Sequence, residues 1–136
     1  MALASVGLSR SLDPPARNFG APVAELRWGY RLSPRLEPDA GAALIAFPEA
    51  VPELRVGIRV HPFGGSALPV AGGLFVRPGL HALLAGGEGF EWGIGGEVGY
   101  LAEGRRLIGY AAVASTRVFR HPRVHLEARL GVGFRF

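Results

Sequence analysis

The chain has no cysteine. Disulfides and thiolate metal sites are therefore excluded, and the redox compartment leaves no trace. It also has no lysine, so all 15 of its strong cations are arginines. A formal net charge of +4 and a pI near 10.6 would suit nucleic acid or an anionic lipid surface, but the arginines form no basic run, which argues against nucleic acid as a partner. Long apolar runs are missing too. Nothing approaches the roughly 18–20 residues a transmembrane helix needs, and no stretch shows an apolar stripe of helical period. The opening segment, Met1 to Arg10, lacks the basic start, apolar core and cleavage pattern of a signal peptide. The sequence reads as a mature form behind an initiator Met.

What is present is glycine (21), proline (11) and a 49% hydrophobic content with a mean hydropathy of only +0.24. The clearest pattern is at the C-terminus, from Arg123 to Phe136. Val124, Leu126, Ala128, Leu130, Val132, Phe134 and Phe136 alternate there with Arg123, His125, Glu127, Arg129, Gly131, Gly133 and Arg135. A period of two means a β-strand, because successive side chains point to opposite faces. The same alternation recurs along the chain between Pro- and Gly-containing breaks. It predicts strands over Ala2–Ser9, Ala24–Leu32, Asp39–Phe47, Glu53–His61, Val70–Leu84, Phe90–Tyr100 and Arg106–Phe119. Pro78 removes a ladder donor, so a bulge or local break is expected there. The facing of strands three and seven stays open, since both of their alternate sets contain small or apolar residues.

Eight consecutive strands with short connections describe one domain over residues 1–136, an antiparallel up-and-down meander that hides its edges by closing into a barrel. Two barrels share this period. A soluble one would point its apolar face inward and could bind an apolar ligand; a membrane barrel is inside out. Three features favour the membrane barrel. The non-apolar face is rich in Gly (Gly29, Gly57, Gly79, Gly93, Gly95, Gly99, Gly131, Gly133), which weakens a solvated strand but makes room inside a narrow barrel. Its charges are Arg with Glu, a mix suited to an ion-paired interior. The apolar face carries aromatics near strand ends (Trp28, Tyr30, Phe90, Trp92, Tyr100, Phe134, Phe136), as interfacial girdles require. The expected fold is all-β: an eight-stranded transmembrane barrel with a polar, Gly-rich lumen.

With that pattern the chain resembles the small eight-stranded bacterial outer-membrane barrels, similar in architecture to the barrel domains of outer-membrane proteins X and A. The resemblance implies residence in the bacterial outer membrane with both termini in the periplasm. Ser11–Pro22, Pro48–Pro52, Ala85–Gly89 and Arg120–Arg123 then become outer connections. It also implies that Leu130, Val132, Phe134 and Phe136 form a terminal assembly signal read by the barrel insertion machinery. The short outer connections speak against adhesin-like or receptor-like roles.

Glu25, Arg27, Arg59, Arg77, Glu97, Glu127 and Arg129 fall on the inner face and are expected to form a structural charge network. Arginines are expected to outnumber carboxylates there. His61, His81 and His125 lie on inner faces of three strands, with no H-x-H or HExxH spacing, so no metal site or cofactor is expected. Ser115, His125 and Glu127 are the only residues that suggest a hydrolase triad, and two of them point inward. The reading is therefore a non-enzymatic envelope barrel with a plugged lumen. Its partners would be the lipid bilayer, the insertion machinery and an unidentified envelope protein. The alternatives are a barrel enzyme acting on lipid or a soluble apolar-ligand barrel.

Overall fold

The computed structural model of the protein describes residues 1–12, 20–46, 50–63, 73–85, 89–104, 106–120 and 124–136. Eight strands follow one another: β1 (Ala2–Ser11), β2 (Ala21–Gly29), β3 (Leu36–Ala46), β4 (Ala50–Val60), β5 (Leu74–Ala85), β6 (Gly89–Glu103), β7 (Leu107–Val118) and β8 (Val124–Phe134). Each pairs antiparallel with the next, and β8 pairs with β1, so the sheet is a closed barrel without an edge. No helix occurs among the described residues. Much of the expected outer connections, together with His121 and the start of strand five at Val70, lies outside the described residues.

The strand boundaries differ from the sequence reading by a few residues, and the hydrogen bonds show why. Tyr30 and Leu32 were expected inside strand two, which ends at Gly29. Yet Tyr30 N still donates to Pro38 O and Leu32 N to Leu36 O, both at 3.0 Å. The ladder therefore runs on into a tight hairpin, where the Ser33 hydroxyl accepts from the Arg35 and Leu36 amides. Strand three correspondingly begins at Leu36, inside what the prolines suggested was a turn. At Pro78 the pairing with β6 is unbroken, but pairing with β4 lapses between Gly57↔Gly79 and Val60↔Val76. The missing N–H interrupts one seam and leaves the other intact.

The apolar set lies outside. Leu130, Val6, Val98 and Val113 are each about 60% exposed or more, whereas the alternate positions on the same strands are buried. A soluble barrel would reverse this arrangement. Trp28, Tyr30, Phe134 and Phe136 are exposed at the end that carries the termini, and Phe90, Trp92 and Phe119 at the opposite end. For strand seven the structure chooses Ile108, Tyr110, Ala112, Ala114, Thr116 and Val118 as the inner set. For strand three the inner set includes Glu37, Asp39 and Ala43.

Candidate functional site

Among the described residues, the lumen is where charged side chains concentrate. Near the termini it is closed by an apolar cluster of Leu3, Phe75, Leu101, Ile108, Tyr110 and Ala112. Beside and beyond that cluster lie Glu25, Glu37, Asp39, Glu53, Glu97 and Glu127 with Arg27, Arg55, Arg59, Arg77 and Arg129, all buried. Among the described residues, buried carboxylates therefore outnumber buried guanidiniums, six to five. The sequence expectation had the opposite balance because Glu37 and Asp39 sat in the ambiguous stretch around Pro38. Glu53 and Arg55 lie on the inner face of β4 but were not singled out.

Glu97 on β6 is the hub. Both of its oxygens accept from Arg27 on β2, each at 3.0 Å. Arg129 on β8 donates at 2.7 Å and the Tyr110 hydroxyl on β7 at 2.5 Å. Glu25 receives Arg27 and Arg129 from the other side. Further from the termini, Arg55 bridges Glu127, at 2.8 and 3.0 Å, and Glu53, at 2.5 Å. Glu53 is also hydrogen-bonded to His81, whose ring approaches the Thr116 hydroxyl. Toward the termini, Arg77 reaches Asp39 at 2.7 Å and Arg59 reaches Glu37 at 2.9 Å. Arg31 then links Glu37 to Glu103, which also holds Arg135 at the rim. The result is a continuous ion-paired column through the barrel.

Glycine makes this column possible by steric subtraction. Gly57 stands between Asp39 on β3 and Gly79 on β5. A Cβ there would lie 2.7 Å from the Arg77 guanidinium carbon, so only glycine lets Arg77 cross β4 to its carboxylate. Likewise a Cβ at Gly29 would meet the Glu37 carboxylate at 2.5 Å, and one at Gly95 the His81 ring at 2.5 Å.

The remaining candidates do not assemble. Ser115 is exposed on the outer wall, whereas Glu127 is buried inside. His125 follows the inner alternation and pairs in register with Thr116, not with Ser115. These three residues therefore share no site. Among the described residues no cluster of three side chains could hold a metal ion. His61, just past β4, packs against the Phe75 ring. Burial first, and then the Arg31 and Arg59 guanidiniums, hold its imidazole below the usual histidine range.

No protein-family profile matches the chain, and no curated protein sequence matches it significantly. Solved structures do match. The N-terminal barrel domain of Pseudomonas aeruginosa OprF is 17% identical with a TM-score of 0.65, covering 99% of this chain and 96% of that one. Neisserial surface protein A is 16% identical, with a TM-score of 0.65 and coverages of 99% and 96%. OprG, also from Pseudomonas aeruginosa, is 12% identical, with a TM-score of 0.60 and coverages of 99% and 95%. Identity this low speaks for shape alone, and the shape is that of the small eight-stranded outer-membrane barrels.

Proposed function

We propose that this chain is a non-enzymatic barrel of the bacterial outer membrane with a structural or interaction role in the envelope and a sealed lumen. One observation supports the reading: the described interior positions hold a network of ion-paired charges and, near the termini, an apolar cluster, while the strands' outward positions are almost all apolar. Eight strands enclose just enough space for side chains and leave no aqueous channel. The bilayer is the first partner. The outward row Leu130, Val132 and Phe134, ending in the almost fully exposed Phe136, supports recognition of the C-terminal strand by the barrel insertion machinery. A further envelope protein is the expected interaction partner.

Planar-bilayer recording on the purified protein tests the seal. The expected result is no stable porin-like conductance. A large, steady open state would show that the charged column does not close the barrel.

A further inference from the structure

We propose that the outer wall around β8 is a binding site for a phospholipid whose headgroup carries a net negative charge, with Arg10 and Arg117 holding the headgroup phosphate and an alanine-floored groove beneath them taking an acyl chain. The inference rests on the membrane reading above and adds a ligand to it.

Charge on the outer wall is the starting observation. Following the alternation through all eight strands, the outward positions are apolar residues, Gly, Pro or Ser, with two exceptions. Both exceptions are arginines. Arg10 is next to last in β1 and Arg117 next to last in β7, so both stand at the rim away from the termini. They also flank the same strand. Arg10 lies opposite Leu126 of β8, Ser115 lies opposite Leu126 from the other side, and Arg117 lies opposite Val124. Strand spacing and rise then put the two Cα atoms roughly 12 Å apart, with β8 between them and Ser115 two residues from Arg117 on the same face of β7.

Neither arginine has an ion-pair partner among the described residues, in contrast to the buried guanidiniums, each of which has at least one. An isolated interfacial arginine could simply extend its head group into water. Two of them converging on one strand, with no carboxylate on that wall, make a site for an external anion. Guanidinium matches phosphate geometrically through paired N–H donors, and a lipid headgroup places phosphate at this depth.

Below the arginines the wall is hollow. A groove of about 820 Å³ crosses the wall from β1 over β8 and β7 to β6 and Leu74 of β5. Ala128 and Ala111 form its floor, and Leu8, Val113, Leu130 and Val98 stand along it. Ala128 sits directly between Leu8 and Val113 in the ladder, one outward position below the Arg10–Leu126–Ser115 row. The upper end of the groove thus lies in the row next to the one that carries Arg10.

The test uses the purified full chain in non-ionic micelles and two fluorescently tailed probes, phosphatidylglycerol and phosphatidylcholine. Losing two charge-assisted contacts should weaken binding by about tenfold or more. Phosphatidylcholine offers the same phosphate, but its choline cation offsets the charge that the two arginines would meet, so the chain should prefer phosphatidylglycerol by about that factor. R10Q/R117Q should lose the preference, R10K/R117K should keep part of it, and R35Q/R106Q, two exposed arginines at the opposite rim, should leave it unchanged. Equal binding of both probes, a preference that survives R10Q/R117Q, or displacement of the lipid by an equal concentration of inorganic phosphate would overturn the proposal. Flotation with phosphatidylcholine vesicles separates the two levels: a chain that inserts without lipid preference refutes only this site, and one that does not insert refutes the membrane reading as well.

Discussion

Glu97→Gln is expected to cost the folded barrel about 3–5 kcal/mol, the usual loss when one member of a buried ion pair is removed. Glu97 is 2% exposed and accepts from Arg27, Arg129 and Tyr110 at once. The glutamine would keep the shape but leave two guanidiniums to share Glu25, with Glu127 3.4 Å from Arg129 and Asp39 4.0 Å from Arg27 as their more distant partners. Burial, not pairing, sets the size of this effect. Glu103 forms contacts just as short, 2.5 Å to Arg31 and 2.8 Å to Arg135, but at the rim, where its side chain is 28% exposed. Glu103→Gln should therefore cost less than about 1 kcal/mol, as solvated pairs do. Urea unfolding in lipid vesicles measures both variants. Equal losses would mean that the lumen is as wet as the rim.

Leu130→Arg should prevent or strongly impair folding into bilayers, whereas Leu130→Ala should be tolerated. Leu130 is at mid-strand, paired with Val6 and Ala111, and is 66% exposed on the outer wall. Arg at the midplane of such a barrel costs roughly 2–4 kcal/mol, and the alanine loses only part of a side chain that no protein atom encloses. Because Leu130 also belongs to the proposed assembly signal, Val98→Arg on β6 serves as a second variant. Refolding yields from urea into vesicles, without insertion machinery, read the lipid contact alone. If the arginine variants refold as well as the alanine one, the outer wall does not face hydrocarbon.

The sequence revealed most where one face of a strand was purely apolar. In β8, β4 and β6 the alternation fixed both the strand and the direction of its side chains, since shifting by one residue exchanges the faces. It was silent in β7, where Ile108 and Tyr110 oppose Ala111 and Val113. The inner set is decided there by contacts across the lumen, the Tyr110 hydroxyl on Glu97 and the Phe75 ring 6.0 Å from that of Tyr110. No local pattern carries that information. Glu37 and Asp39 were obscured for a different reason. Pro34 and Pro38 signalled a turn, yet Pro38 sits within the ladder with its side chain outward while its neighbours supply two of the six buried carboxylates. The apolar cluster at the termini end was equally hidden, because Leu3, Phe75 and Leu101 lie on the face that elsewhere is polar.

The inside-out arrangement can be measured most directly on the two tryptophans. Trp28 and Trp92 are 58% and 60% exposed on the apolar wall, near opposite rims. Two single-tryptophan variants, W28F and W92F, would be folded into vesicles and exposed in turn to acyl-brominated lipid and aqueous iodide. With the apolar wall in lipid, brominated chains quench both tryptophans and iodide quenches neither strongly. Efficient iodide quenching with no response to brominated lipid, at either position, would contradict it.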